Sequence, residues 1–194
     1  MKKIKEKILN ILTLGRYKRR KRPSKIENYI KDLRELTLNH QTQELQKKHK
    51  NPLNRFGKKC FSQTDEDGIT IEILKRIGCL EGGSFAEFGP GDGMENNTLI
   101  LKALGWKGFW VGGENLLIST KTNKQFSFIM EFVTIKNIIE LVLKGKKDVK
   151  CNDLDVISFD LDGNDLYLVD ELLKNNFRPK LFIVEYNGKF PPPI

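Results

Sequence analysis

Short apolar runs alternate with longer amphipathic segments through the chain beyond residue 60. The runs predict five strands, at residues 84–88, 108–111, 126–133, 156–159 and 181–185. The segments between them have apolar residues three and four positions apart and predict helices at residues 67–77, 97–104, 135–143 and 166–174. Because the runs are continuous and do not alternate, we expect strands buried on both faces of a parallel sheet. The repeated strand–helix order predicts a doubly wound α/β fold.

The chain before residue 60 has a different pattern. In residues 1–15, apolar residues at helical spacing lie among lysines, and a basic linker follows. Residues 26–48 predict a second helix with an apolar face. That face holds Ile26, Ile30, Leu33 and Leu36.

Charge divides the chain in nearly the same place. Residues 1–60 hold 19 Lys and Arg against 5 Asp and Glu, a net charge of +14, whereas residues 61–194 hold 15 against 20, a net charge of −5. We therefore predict a basic helical arm at residues 1–50 and an α/β domain at residues 51–194. The arm suits contact with an anionic surface, charge alone gives little support for nucleic acid, and a solvated tail is the other interpretation.

The cysteines and the apolar runs indicate in which cellular compartment the protein is located. Cys60, Cys79 and Cys151 lack the spacing of a metal or redox motif, which predicts reduced thiols in a cytoplasmic protein. No apolar run approaches the roughly 20 residues of a membrane span. Residues 8–14 resemble the apolar part of a signal peptide, but basic residues follow where a cleavage site would lie. We expect a cytoplasmic location, with peripheral contact at the inner membrane surface through the arm.

A glycine turn follows the first predicted strand of the α/β domain. Gly89, Gly91 and Gly93 are spaced two apart, and a predicted helix opens shortly after them. Glycine permits positive φ and close approach of a ligand, and a helix start presents free N–H groups. Strand, glycine turn and helix together predict a nucleotide or cofactor cradle. The chain has no Gly-Lys-Ser/Thr sequence, which excludes the phosphate loop of nucleoside triphosphatases.

Acidic residues lie at or just beyond the ends of most of the predicted strands. They are Glu87, Glu114, Asp160, Asp162 and Glu185. Because the carboxyl ends of parallel strands meet at one edge of a sheet, we expect these carboxylates to lie near one another. Such an edge suits a ligand with ammonium, sulfonium or hydroxyl groups, or a divalent metal, better than a free triphosphate.

Five blocks in a fixed order make a more specific pattern. They are FSQTDEDG at residues 61–68, FAEFGPGDGMENNT at 85–98, GWKGFWV at 105–111, DVISFDLDGND at 155–165 and IVEYN at 183–187. Together they resemble the class I S-adenosylmethionine-dependent methyltransferases, specifically the FkbM-like branch. The resemblance covers about residues 60–190 and leaves out the arm. It implies a Rossmann-like sheet, S-adenosylmethionine as cofactor, and O-methylation of a hydroxyl on a sugar, polysaccharide or other small acceptor.

The resemblance also implies roles for individual residues. Glu87 and the glycine turn would hold the methionine part of the cofactor, and Gln63 and Asp67 would close the same pocket. An acidic residue after the second strand would hold the ribose hydroxyls. Gly112 stands at the expected position, so Glu114, two residues further on, is the candidate.

The same residues have structural interpretations. Glu87 could cap the helix that follows it, and Gln63 and Asp67 could cap the helix at residues 67–77. The acidic turn at residues 160–165 could also be a helix cap. It further mimics a calcium loop, although Asp165 stands where that loop has glycine. The positions that mimic calcium ligands are Asp160, Asp162, Asn164 and Glu171.

A catalytic base in the α/β domain has to be a carboxylate or a metal-bound oxygen. Both histidines, His40 and His49, lie in the arm. The candidates for proton transfer from a hydroxyl are Asp160, Asp162 and Glu185. Asp160 and Asp162 are also the candidate ligands of a divalent cation.

The last residues add an expectation about completeness. Class I methyltransferases continue after the fifth strand with a helix and an antiparallel hairpin, whereas this sequence stops at Ile194 after three prolines. We therefore expect C-terminal strands to be missing, and an uncovered sheet edge to favour homo-oligomers. Two functions stay open: an active methyltransferase, or a degenerate, truncated domain that is non-catalytic and serves binding or no function.

Overall fold

The computed structural model describes residues 25–118, 125–163 and 165–186. The chain divides into two compact units, Met1–Lys48 and His49–Ile194. The helix predicted in residues 1–15 and the basic linker before Lys25 lie outside the described residues.

A long helix is the described part of the first unit. Helix α1 runs from Lys25 to Lys48, which confirms the helix predicted at residues 26–48. Two lysines in its last turn, Lys47 and Lys48, interact favourably with the negative end of the helix dipole. The apolar residues of the predicted face are all strongly exposed.

The second unit is built around a parallel sheet. Its strands are β1 (Ser84–Phe88), β2 (Lys107–Gly112), β3 (Phe126–Met130), β4 (Val156–Phe159) and β5 (Leu181–Val184). The described helices of the unit are α2 (Glu66–Arg76), α3 (Leu99–Ala103), α4 (Ile138–Val149) and α5 (Asp165–Lys174), with a 3-10 turn at Asn54–Phe56. The strand order is β3-β2-β1-β4-β5, and every pairing is parallel. The α/β class and the parallel sheet are therefore confirmed.

Both faces of the sheet are covered, which explains why the strand sequences are continuously apolar. All five residues of β1 and all four of β4 are buried. On one face, residues of α4 and α5 pack with Phe88, which stacks on Phe159 with 4.9 Å between ring centroids. On the other face, Leu74 of α2 and Leu101 of α3 pack with Phe85 and Trp110. Helices on both faces are the arrangement of a doubly wound sheet.

The helix predicted at residues 135–143 was wrong at both ends. Helix α4 begins at Ile138 and continues to Val149, and Gly145, a residue type that often ends a helix, lies inside it. A Cβ at Gly145 would overlap the ring of Phe109, so the glycine allows the helix to approach β2 closely. The helix is ended instead by the next residue, Lys150, which adopts a left-handed conformation with φ of 54°.

Strand β5 is at the edge of the described sheet. Its four residues are half-buried, whereas those of β4 beside it are fully buried. Phe182 packs against the core on one face and Ile183 against the core on the other. The predicted strand 181–185 is one residue longer than the observed one. Strand β3 is also shorter than predicted and ends at Met130, where residues 126–133 were expected to be extended.

Candidate functional site

The glycine turn lies at the carboxyl end of β1, where the strand order changes direction. Gly89, Gly91 and Gly93 have φ of 91°, 55° and 85°, values that favour glycine. A Cβ at Gly89 would overlap the carbonyl oxygen of Asp160, so this glycine lets β1 and β4 end side by side. Among the described residues, and apart from its own chain neighbours, Gly91 has no atom within 4 Å of a Cβ built on it. The turn is thus closed against the protein at Gly89 and open at Gly91.

Glu87 is fully buried under this turn. Its Oε1 accepts a hydrogen bond from the backbone N–H of Asn97 at 3.0 Å, and its Oε2 accepts one from the N–H of Thr98 at 3.0 Å. The hydroxyl of Thr98 also donates to Oε2, and the indole of Trp110 donates to that hydroxyl at 2.8 Å. Glu87 therefore holds the backbone that leads into α3, which is the structural interpretation given above. Both of its oxygens accept hydrogen bonds from the chain, and its role in holding a cofactor stays a prediction.

Burial also changes the acidity of Glu87. Removal from water raises the pKa of this carboxyl to about 7, although the hydrogen bonds from Thr98 and Asn97 act in the opposite direction. The nearby charge of Asp160 raises it further. Glu87 is thus a group that can gain a proton near neutral pH without leaving the core.

Asp67 organises the loop before α2 and does not cap that helix. Its Oδ2 accepts hydrogen bonds from three consecutive N–H groups, of Cys60, Phe61 and Ser62, at 2.6–2.8 Å. The hydroxyl of Ser62 donates to the same oxygen at 2.9 Å. The other oxygen, Oδ1, is buried without a hydrogen-bond partner among the described residues. Direct contact between Asp67 and a cofactor, like that of Glu87, stays a prediction.

A cavity of about 270 Å³ opens at the carboxyl ends of β4 and β5. Carboxylates, amides and one aromatic ring form most of its wall. It is lined by Gln63, Glu66, Asn96, Asn97, Asp160, Ile183, Val184, Glu185 and Tyr186. The structure thus brings together three residues predicted for the site, Gln63, Asp160 and Glu185. No cation is among these lining residues.

Asp160 has an acidic environment at the cavity wall. Partial burial is the main cause that raises the pKa of its carboxyl to about 6, and the negative charges of Glu185, Asp162 and Asp165 add to the effect. The protonated carboxyl of Asp160 can donate a hydrogen bond to Glu185, which also raises this pKa. Like-charged carboxyls that share a hydrogen bond hold one proton more tightly than either would alone.

The acidic turn after β4 is closed by Asp165. Its two carboxylate oxygens accept hydrogen bonds from the N–H groups of Leu161 at 2.9 Å and Gly163 at 3.0 Å. Both oxygens of Asp165 therefore hold the turn that precedes α5. Asp162 is exposed, with φ of 57°, and its N–H donates to Glu185 at 3.2 Å. It does not line the cavity, unlike Asp160.

The structure gives no independent indication of a metal. Within residues 25–118, 125–163 and 165–186, no group of three or more His, Cys, Asp or Glu side chains is arranged to hold an ion. Asn164, one of the residues in the calcium-loop pattern, lies outside the described residues. A divalent cation at Asp160 and Asp162 stays a prediction.

The candidate ribose residue, Glu114, is exposed in the loop after β2. Gly112 ends β2 and is buried, and a Cβ there would lie 3.0 Å from Cδ of Pro90 in the glycine turn. The same loop is tied to the turn by a hydrogen bond from the N–H of Leu117 to the carbonyl of Asp92, at 2.8 Å. Glu114 thus lies on the β2 side of the glycine turn, whereas the cavity lies on the β4 side.

Six cavity residues were not singled out as site residues from the sequence, and four of them carry polar groups: Glu66, Asn96, Asn97 and Tyr186. Asn96 is 4% exposed, and its Oδ1 accepts a hydrogen bond from the N–H of Leu99 in the first turn of α3, at 2.9 Å. Its Nδ2 has no partner among the described residues. Asn97 joins the start of α3 to β4 by donating to Ser158 at 3.3 Å. The Asn-Asn-Thr sequence before an apolar run was the available signal, and it indicated only a helix start.

Comparison with known proteins adds no assignment. No protein-family profile matches the chain, and no curated protein matches it. Among the described residues, no helix is both long and apolar enough to cross a membrane.

Proposed function

We propose that the second unit is a class I methyltransferase domain that uses S-adenosylmethionine to methylate a hydroxyl of a sugar, polysaccharide or other small acceptor. The observation that carries the proposal is the glycine turn at the end of β1, open at Gly91 and next to the acidic cavity. In doubly wound sheets, ligands bind at the carboxyl ends of strands where the strand order reverses, and here that point lies between β1 and β4.

The residues at this edge fit the charge of the cofactor. S-adenosylmethionine carries an ammonium and a sulfonium, and the cavity wall offers the carboxylates of Glu66, Asp160 and Glu185. Gly91 admits a ligand to the backbone, Gln63 would contact the methionine part, and Glu114 on the β2 side would reach the ribose. Glu87 and Asp67 hold the backbone segments beside the cavity, at residues 97–98 and 60–62. When bound, the cofactor supplies an electrophilic methyl group.

Asp160 is the residue we assign as the proton acceptor. With a pKa of about 6, its carboxylate is ionised at neutral pH and is more basic than an ordinary aspartate. It lines the cavity, where an acceptor hydroxyl can approach it. The negative charge of Glu185 raises the pKa of Asp160 and so makes its carboxylate more basic. Asp162 lies outside the cavity wall and is not needed for this role.

The cavity wall also suits a hydroxyl-rich acceptor. Gln63 and Asn97 carry amides that can both donate and accept hydrogen bonds, and the ring of Tyr186 offers an apolar face. The acceptor class comes from the family resemblance, and these side chains are compatible with it. A divalent cation at Asp160 would serve the same proton transfer by lowering the pKa of the hydroxyl.

Release of S-adenosylhomocysteine tests the proposal. Purified full-length chain would be incubated with methyl-labelled S-adenosylmethionine and a panel of neutral glycans and monosaccharides, with and without Mg²⁺ or Mn²⁺. We expect label transfer to an acceptor hydroxyl and loss of transfer in Asp160→Asn. Binding of the cofactor with no transfer to any acceptor would contradict the catalytic assignment.

A non-catalytic binding domain is the second candidate. It is favoured by Glu87, whose carboxylate is occupied by the chain itself, and by Gly112 at the position expected for a ribose-binding acid. The two candidates differ in turnover and not in binding. We also propose a cytoplasmic location, since Cys60, Cys79 and Cys151 are free thiols.

A further inference from the structure

An apolar stripe lies along the first half of α1. Its residues are three, four, seven and ten positions apart, so they share one side of the helix. They are Ile26, Tyr29, Ile30, Leu33 and Leu36. Each of these side chains is between 60% and 70% exposed. Single exposed apolar residues are ordinary on protein surfaces, but five in one row form a patch that indicates an interaction surface.

The sequence directly before the stripe is strongly basic. Residues 1–24 hold 10 Lys and Arg and one Glu, a net charge of +9, and six of the seven residues at 16–22 are Lys or Arg. A basic run and an apolar stripe are therefore adjacent in the chain. Any partner has to satisfy both features.

Charge decides among the possible partners. A second copy of the chain could cover the stripe, but it would bring two strongly basic segments together, and their repulsion opposes the pairing. Nucleic acid would attract the basic run and leave the apolar stripe in water. An anionic membrane surface attracts the cations through its headgroups and takes up the apolar side chains at the acyl boundary.

We propose that α1 is an interfacial helix that binds the surface of anionic membranes through this stripe, assisted by the basic run. Neither signal is sufficient alone, because single weak anchors give only marginal membrane binding. The inference does not depend on the proposed methyl transfer, since it concerns the first unit only.

Vesicle flotation of the full-length chain tests the inference. The vesicles are phosphatidylcholine alone, or phosphatidylcholine with about one third phosphatidylglycerol, at low salt and at about 0.5 M salt, where charge is largely screened. The stripe variant carries Ile30→Ser, Leu33→Ser and Leu36→Ser. The matched control carries Leu104→Ser, Leu143→Ser and Leu166→Ser, which also lie at exposed apolar positions but in the second unit.

We expect the wild type and the control to float with anionic vesicles only, and high salt to weaken their binding. The stripe variant should bind at least about tenfold more weakly, because the apolar contribution is lost while the charge is unchanged. Absence of wild-type binding, or equal binding by the stripe variant, would overturn the proposal. Two other results would also overturn the proposal. In the first, light scattering shows that the stripe variant changes only from dimer to monomer. In the second, a gel-shift assay shows that the wild type prefers nucleic acid and that the stripe variant binds it equally well.

Discussion

Two pairs of carboxylates lie near the carboxyl edge of the sheet and have different surroundings. Asp67 and Glu87 are fully buried, and donors from their own chain occupy both oxygens of Glu87 and one oxygen of Asp67. Asp160 and Glu185 line the cavity, and the charged groups that act on Asp160 are other carboxylates. The first pair accepts hydrogen bonds that hold the backbone at residues 60–62 and 97–98. The second pair is available to a ligand.

The comparison shows that an acidic residue after a strand has no fixed role. Burial raises the pKa of both Glu87 and Asp160, yet Glu87 has three donors around it and Asp160 has a second carboxyl. Backbone donors make a carboxylate structural, since removing it leaves several buried N–H groups unpaired. A carboxyl that faces a cavity and a like charge is more basic than usual, which suits proton transfer.

The largest effect should come from Asp160→Asn. Loss of a general base typically reduces the rate about 10²–10⁴-fold, and the amide preserves the shape of the side chain. The measurement is the rate of methyl transfer at pH 7.5 with the acceptor found in the panel. Asp162→Asn is the matched control, because Asp162 is exposed outside the cavity wall and should retain most of the activity. Equal losses in the two variants would contradict the distinction between them.

Glu87→Ala should affect stability. It leaves the N–H groups of Asn97 and Thr98 without their acceptor, and each buried unpaired donor costs about 1–3 kcal/mol. We expect a loss of about 3 kcal/mol in the free energy of unfolding, measured by urea denaturation. A variant as stable as the wild type would show that Glu87 does not hold the start of α3.

The effect of Glu87→Ala should also depend on pH. The pKa of Glu87 is about 7 in the fold, against 4.5 as the ordinary value, so the folded protein binds this proton more tightly. The stability that this proton contributes is complete below about pH 4.5 and is lost as pH rises through about 7. The difference between wild type and variant should therefore be larger at pH 5 than at pH 8, by about 1 kcal/mol or more.

Two substitutions at Asp67 should have unequal effects. Asp67→Asn can retain the oxygen that accepts from residues 60–62, and its amide would occupy the position of the oxygen that has no partner. We expect a cost of about 1 kcal/mol, because the hydrogen bonds lose their charge. Asp67→Ala removes every acceptor and should cost about 3 kcal/mol. Equal melting temperatures for the two variants would contradict this account of the loop.

Glu185→Gln should produce the smallest change, a shift in the pH profile. The charge of Glu185 and its hydrogen bond both raise the pKa of Asp160, which is about 6. Activity in the wild type should fall as pH drops through about 6, because Asp160 becomes protonated. Without the negative charge, the pKa of Asp160 should fall and the acidic limb of the profile should move to lower pH. A shift toward higher pH would show that Glu185 does not act on Asp160 in this way.

The fold was more predictable from the sequence than the site. Strands β1 and β4 were placed at their observed bounds, because an apolar run between turn residues has few alternatives. The end of α4 was missed because Gly145, which looks like a helix terminator, packs against Phe109 of a strand more than 30 positions earlier. Contacts of this kind are not visible in local sequence.

The sequence predicted which residue types the candidate site contains, but it did not predict what each residue does there. Glu87, Asp160 and Glu185 were identified from their positions at or just after the ends of strands. The sequence could not distinguish a carboxylate that binds the backbone of its own chain from one that faces a cavity. Asn96 illustrates the same limit. Its buried amide lines the cavity, and its backbone N–H donates to the carbonyl of Phe61, whose own N–H donates to Asp67. Partners far apart in the chain decide these roles.

Calorimetric binding of S-adenosylhomocysteine to Gly91 variants tests the central claim most directly. Gly91→Asn suits the variant, because asparagine tolerates φ of 55° and its side chain would fill the open space of the turn. The matched control is Gly78→Asn, in the turn after α2. Gly78 also has a positive φ, 69°, and apart from its chain neighbours no atom of the described residues lies within 4 Å of a Cβ built there. The account predicts binding by the wild type and by Gly78→Asn, and a loss of at least about tenfold in affinity for Gly91→Asn. Equal binding by all three proteins, or no binding by the wild type, would contradict it.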